Sequence, residues 1–331
     1  MDLSIERCED ATSWNQFVEK SPHGNVFCTT TFLKALKEQV DLYFICEQGH
    51  PVLAVPVNEA GPGFVPFESY TTFRFAIYLG PMFSPEIENL PVHSSTPRRM
   101  RLLDFALTEL SARHRRLSFT PSPHFGDIRS FQWFNYHRPA GGRFDVHLRY
   151  TGLLDLQSAG REQLHREVRD NRRRELERAA RQRIVCETSE DLDILDRLDD
   201  LVYERQSLAR DPADRAARRA IAESALLHDY GKFFVARSDS GEIASAYLCL
   251  YDRSCAYYLF AGNHPDFRRS GASSALLFHA LDVFRKDGQR WFDFVGMNSP
   301  LRGDYKSSFN AVPTPHYLLD WKALPPSAAP D

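Results

Sequence analysis

Residues 232–250 read KFFVARSDSGEIASAYLCL, and residues 41–57 read DLYFICEQGHPVLAVPV. Each stretch is two runs rich in aromatic and β-branched residues around a short polar turn containing glycine, the pattern of a β-hairpin. A helix and then a strand follow each hairpin. After the first, Met100, Leu103, Leu107 and Leu110 recur at spacings of 3, 4 and 3 and predict a helix over 97–114, with a strand over 117–120. After the second, a helix is predicted over 273–286 and a strand over 290–295 (RWFDFV). Laid at an offset of 174 residues, RLLDFALTELSARHRRLSF and ALLFHALDVFRKDGQRWFD share five of nineteen residues. These are Leu102, Leu103, Ala106, Leu107 and Arg116 against Leu276, Leu277, Ala280, Leu281 and Arg290. Leucine and alanine are common, so the shared element order weighs more. It implies two copies of one α/β fold, each a mixed sheet flanked by helices.

The rest of the chain fits around these units. Helices are expected over 12–19 and 30–38, and loops over 58–85 around a short strand at 75–79. A strand over 144–156 leads into the second half. That half opens with one long helix over 157–181, then a strand at 184–187. Helices over 191–206 and 213–228 follow, joined at Arg210-Asp211-Pro212, and a third strand at 254–260 completes a meander. At 331 residues two domains are the natural number. The expected boundaries are 1–152, a degenerate N-terminal copy, and 153–315, with a strand at 316–322 returning to the first domain and a disordered tail at 323–331.

Hydrophobic residues at 43% and charged residues at 26% describe an ordinary globular chain and argue against disorder. No apolar run approaches the roughly 20 residues of a membrane span, and MDLSIERCED lacks a secretory signal, so a cytoplasmic location is expected. A net charge of -3 argues against non-specific nucleic-acid binding by the chain as a whole. Cys8, Cys28, Cys46, Cys186, Cys249 and Cys255 form no C-x-x-C pair and read as buried free thiols. There is no G-x-S-x-G, Walker loop, H-E-x-x-H or dinucleotide G-x-G-x-x-G, and no metal site or tightly bound cofactor is expected.

Three segments could carry chemistry. The first is Phe267 to Ser274, FRRSGASS, entering a helix. Amide groups at a helix start can cradle a pyrophosphate. Arg268-x-x-Gly271-x-Ser273, with Arg269 beside it, resembles the R/Q-x-x-G-x-G/A coenzyme A loop of GNAT acetyltransferases. Serine stands where glycine or alanine is expected, and an ordinary capped helix explains the segment equally well. The second is RWFDFVGMNSPLRGDYKSSF, residues 290–309, an apolar strand running into a polar loop. Lys306 sits among aromatic residues, where an ammonium would stabilise a developing oxyanion. Asn298 and Arg302 are possible helpers, and Asp304 and Asp293 are the nearest carboxylates that could act as base. A solvated surface lysine, with Asp304 paired to Arg302, is the plain alternative. The third is Arg161 to Arg183, with nine arginines and five acids. At about 100° per residue, Arg161, His165, Arg166, Arg169, Arg172 and Arg173 fall in an arc of roughly 140°, a stripe suited to phosphates. A solvated face with pairs such as Arg174–Asp170 and Arg178–Glu175 is the plain alternative.

Two such halves, an arginine-rich helix opening the second, the early SPHGNVFCTTTFLKAL and the late DYKSSFNAVPTPHY together resemble the FemABX family over about residues 12–322. The resemblance implies a tandem GNAT fold. It implies transfer of an aminoacyl group from aminoacyl-tRNA, as co-substrate and partner, to the amine of a small or peptide-like acceptor. The family's transition-state lysine falls on Lys306 in its Y-K-x-x-F pattern, with Tyr305 and Phe309 lining the acceptor site. Its basic residues for acceptor phosphates fall near Lys34 and on Arg205 or Arg210. Arg166, Arg169 and Arg173 would contact the donor. The coiled-coil arm of larger members is absent, which favours a compact single-addition enzyme. Two rivals stay open: a GNAT N-acyltransferase using acetyl-CoA or another acyl-CoA, and a non-catalytic binding protein on a decayed scaffold.

Overall fold

The computed structural model describes residues 2–37, 39–58, 75–138, 141–158, 160–205 and 211–323. The elements begin with β1 (Leu3–Arg7), α1 (Ala11–Lys20), α2 (Thr30–Leu36), β2 (Asp41–Glu47), β3 (His50–Val57), β4 (Met82–Phe83), α3 (Pro85–Glu88), α4 (Val92–Arg113), β5 (Arg116–Phe119) and α5 (Arg129–Trp133). They continue with β6 (Asp145–Asp155), α6 (Arg161–Glu167), α7 (Asp170–Arg181), β7 (Val185–Thr188), α8 (Asp193–Arg205), α9 (Pro212–Leu227) and β8 (Gly231–Arg237). Last come β9 (Ile243–Tyr251), β10 (Cys255–Asn263), α10 (Ala272–Lys286), β11 (Trp291–Asp293), α11 (Pro300–Ser307) and β12 (Val312–Lys322). The chain divides into one unit of Met1–Arg149 with Pro315–Asp331, and a second of Tyr150–Thr314.

In the first unit β1-β2-β3-β4 form an antiparallel sheet. The β2–β3 turn places Gln48 and Gly49 at φ 52° and 80°, the doubly left-handed turn that suits a two-residue hairpin. Helix α1 starts at Asp10, whose carboxylate accepts the Thr12 and Ser13 amides, removing two orphan donors. Helix α4 buries Leu102, Leu103, Ala106, Leu107 and Leu110 against Ile45, Leu53, Phe119 and Phe131; of the four positions its periodicity singled out, Leu103, Leu107 and Leu110 are buried and Met100 is only half-buried. Strand β12 pairs antiparallel with β5, Leu319 opposite Phe119, and Arg116 holds Asp320 at 2.8 and 3.0 Å.

In the second unit the end of β6 pairs with β11, and the order continues β11-β10-β9-β8-β7. Strands β10 and β11 run parallel, which requires the crossover helix α10. Leu276, Leu277, Ala280 and Leu281 of α10 are buried with Phe234, Tyr247, Phe292 and Phe294. Every Leu and Ala pair in the internal alignment is therefore a core position in its own unit.

The structure corrects several expectations. The long helix over 157–181 is two helices: Val168 and Arg169 are extended, at ψ 150° and 147°. The break buries Val168, and the Arg169 amide donates to the Ser308 carbonyl at 2.9 Å. Residues 300–307, expected as loop, form α11, because Pro300 at the first position needs no amide partner. In place of a strand at 75–79 there are isolated bridge residues at Ala76 and Leu79, the latter paired with Thr120. Cys8 and Cys186 are only half-buried, and none of the six cysteines is in a disulfide. Of the expected disordered tail, 323–331, Ala323 is ordered, its amide donating to the Arg115 carbonyl at 2.9 Å, and 324–331 lie outside the described residues. Among the described residues no helix is long and apolar enough to cross a membrane.

Candidate active site

Strands β10 and β11 are in register from Cys255–Trp291 to Tyr257–Asp293 and then part. On one side β10 bulges between Tyr258 and Phe260. On the other β11 ends at Asp293, and the Phe294 amide turns to the Gly152 carbonyl of β6 at 2.8 Å. Val295 then takes φ 53° and Gly296 φ 41°. A β-branched residue in the left-handed region is strained, and such strain persists only where its surroundings impose it.

Lys306 is part of that imposition. It lies in the last turn of α11 and is 9% exposed. Its Nζ donates to the Val295 carbonyl, and to the Gly296 carbonyl at 2.8 Å. The Tyr258 ring lies 6.0 Å from Nζ. Burial pulls its pKa from the ordinary lysine value down to about 8, with the Asp293 carboxylate opposing the shift and Arg302 adding to it. Phe309 and Phe294 close the apolar side, with centroids 6.1 Å apart, and Tyr305 meets Phe309 at 5.3 Å. A charge in so dry a place acts more strongly on a neighbouring oxyanion than one in water.

Buried phenols continue from this point. The Tyr247 hydroxyl donates to the Ser273 carbonyl at 2.7 Å and bonds the Ser273 hydroxyl, which lies 3.2 Å from the Tyr305 hydroxyl. Burial raises the pKa of Tyr247, Tyr258 and Tyr305, so they are neutral hydrogen-bonding groups at ordinary pH. Ser273, expected as a donor-loop residue, thus sits beside Tyr305, expected as an acceptor residue.

The start of α10 is filled from within the chain. Gly271 has φ 86°, and a Cβ there would stand 2.1 Å from the Glu175 carbonyl of α7. The Glu175 carboxylate accepts from the Ser274 hydroxyl and pairs with Arg172 at 2.5 Å. Arg178 donates to the Arg269 carbonyl at 2.9 Å. Arg268 and Arg269 are themselves exposed.

The other predicted residues separate. Asn298 is committed to the Tyr150 backbone, accepting its amide at 2.8 Å and donating to its carbonyl at 3.1 Å. Asp304 pairs with Arg169, at 2.8 and 3.0 Å, and Arg302 is exposed. The arginine stripe divides at the helix break. Arg161 and Arg166 stay exposed, while Arg173 donates to the Arg166 and Val168 carbonyls, both at 2.6 Å, and pairs with Asp170. Arg172 turns inward and lies over Tyr305, 5.0 Å from its centroid. The pairs Arg174–Asp170 and Arg178–Glu175 give way to Arg173–Asp170 and Arg172–Glu175. Lys34 is exposed on α2 of the first unit. Arg210 and the Arg205 side chain lie outside the described residues. The residues not anticipated are Tyr247, Tyr258, Val295, Thr151 and Glu175. The strand residues among them read simply as core, and no residue type announces a left-handed valine.

Comparison with known proteins gives the fold a context. The structure superposes on FemX with a TM-score of 0.69 at 12% identity, covering 96% of this chain and 97% of that one. It superposes on L-PGS from Bacillus licheniformis with 0.55 at 14%, covering 94% and 91%. It superposes on a tandem GNAT protein from the clavulanic acid biosynthesis pathway with 0.52 at 11%, covering 98% and 100%. A search of curated proteins found no match. Residues 163–307, which contain β10, α10, β11 and Lys306, match the family described as acetyltransferase (GNAT) domain. The chain therefore has a FemABX-like tandem GNAT fold, with the GNAT signature in its second unit.

Proposed function

We propose that the protein is an acyltransferase that forms an amide bond, moving an aminoacyl group from aminoacyl-tRNA to an amine acceptor. The observation that carries this reading is the buried ammonium of Lys306, fixed by two carbonyls where β10 and β11 part. A neutral amine attacks the ester carbonyl, and the carbonyl electrons move onto oxygen. The ammonium beside the oxyanion lowers its energy. The oxyanion then re-forms the carbonyl, the ester C–O bond breaks, and the ribose hydroxyl leaves carrying the proton the amine has lost. Asp304 is a poor base here, since it is exposed and paired with Arg169.

The filled start of α10 supports an ester on tRNA over a thioester on coenzyme A. Glu175 places a carboxylate at the helix start, where a pyrophosphate would bring its own negative charge. The exposed Arg161 and Arg166 are available to phosphates. The match of residues 163–307 to a GNAT acetyltransferase domain favours the second reading, an acyl-CoA N-acyltransferase.

The test is purified protein with charged tRNA or acetyl-CoA and a panel of amines. Transfer that is abolished by ribonuclease, with tRNA affinity falling at a log–log salt slope of about -0.7 to -0.9 per phosphate contact, supports the first reading. Transfer that survives ribonuclease and requires acetyl-CoA replaces it with the second. No transfer from either donor leaves a binding protein.

A further inference from the structure

We infer that Asp293 and Thr151 are positioning residues: together they hold the Val295–Gly296 turn in its strained form, and so set the place and charge of Lys306. The inference rests on the reading of Lys306 as the cation of acyl transfer, but the turn is visible without it.

Asp293 is 1% exposed at the last position of β11, and Thr151 is fully buried on β6. The Thr151 hydroxyl donates to Asp293 Oδ1. The same oxygen accepts the Val295 amide at 2.7 Å. A carboxylate that accepts a main-chain amide two residues ahead closes a tight local turn. Here that turn drives Val295 to φ 53° and faces the Val295 and Gly296 carbonyls toward Nζ. One buried carboxylate thereby fixes both the geometry of the grip and the sign of its surroundings. The groups facing Lys306 are Asp293 from β11, Arg302 from its own helix and the neutral Tyr258 phenol from β10. Asp293 is the one negative charge among them, and its presence favours the protonated lysine. Held this way, Asp293 is an anchor for the turn instead of the proton acceptor its sequence position suggested.

The experiment is NMR titration of Lys306 in protein labelled with 13C and 15N lysine, in wild type, Asp293→Asn and Thr151→Val, alongside turnover and thermal unfolding. Asparagine keeps an oxygen for the Val295 amide and removes the charge. The expected result is a Lys306 midpoint lower by about one pH unit or more, with the alkaline limb of kcat displaced equally. A purely structural role would shift the unfolding temperature and leave both midpoints in place, and that result overturns the inference. Thr151→Val keeps the charge and the volume and loses the hydroxyl donor. It should lower kcat about tenfold at constant KM, with Thr151→Ser restoring it, and this arm decides the matter should Asp293→Asn fail to fold. Unchanged kcat in Thr151→Val would likewise contradict the inference. If the wild type transfers nothing from any donor, the functional reading falls, while the lysine titration still decides the role of Asp293.

Discussion

The two units start their long helices differently. Helix α4 begins at Pro91 with neither a glycine nor a side-chain cap, whereas α10 begins at Gly271 in the left-handed region, with α7 pressed against it. The strands after these helices differ too. Strand β5 pairs antiparallel with β12, while β11 runs parallel to β10 and then breaks away. The cores are alike, since aligned leucines and alanines are buried in both. What distinguishes the second unit is a parted strand pair with a buried lysine in it. Among the described residues the buried apolar face is common to both units, and the parted strand pair with its buried lysine belongs to the second.

The sharpest way to break this comparison is Lys306→Met set beside Lys34→Met. Loss of one oxyanion-stabilising donor typically costs about 100- to 1000-fold in turnover. Lys306→Met should lose that much in single-turnover transfer. Lys34, exposed on the first unit, should leave kcat intact and raise the acceptor KM by roughly threefold, as expected for a group that binds ground and transition states equally. Equal losses at the two sites would contradict the assignment. Lys306→Met should also lower the unfolding temperature, because two buried carbonyls lose their donor.

A second contrast uses glycine. At Gly49 a methyl group meets nothing within 4 Å, so Gly49→Ala pays only the left-handed penalty of about 1–2 kcal/mol. At Gly271 the same penalty is joined by a clash with main-chain oxygen at 2.1 Å. Gly271→Ala should therefore cost about 3 kcal/mol or more in urea unfolding. Similar losses for the two variants would mean that α7 does not pack on the start of α10 as described.

A smaller effect follows from Lys306 itself. Its folded pKa of about 8 lies below the ordinary lysine value of 10.5, so between these values the unfolded chain holds more protons. Stability from this group should rise with pH across that window, and below pH 8 the folded state carries the cost of a buried ammonium. In urea unfolding the wild type should gain stability relative to Lys306→Met as pH rises through that window, and in that window alone. A difference independent of pH from 7 to 10.5 would place the lysine in solvent.

Much of the fold was legible because both hairpins and both long helices follow simple periodicities. Met100 to Leu110 announced α4, and DLYFICE announced β2. The elements that were not legible depend on tertiary bonds. The break at Val168–Arg169 exists because Ser308 accepts the Arg169 amide, and nothing local ends the helix there. Of the candidate site, Lys306 was visible through its aromatic neighbours. Asn298 and Asp304 were visible as polar residues, but their partners, Tyr150 and Arg169, lie far away in sequence. The turn at Val295 left no trace, because valine ordinarily avoids that conformation.

The most direct test of the account is the pH dependence of single-turnover transfer, with hydroxylamine as acceptor so that the attacking amine is already neutral. Lys306 acts here as a cation, so the rate should be level near neutral pH, where hydroxylamine is already unprotonated, and fall as pH rises through the lysine's pKa of about 8. Lys306→Arg, which stays charged but cannot take the place of a compact ammonium, should be slow and flat over the same range. A wild-type rate that climbs through pH 8 and levels above it would show that the neutral amine is the active form, and would contradict the central claim.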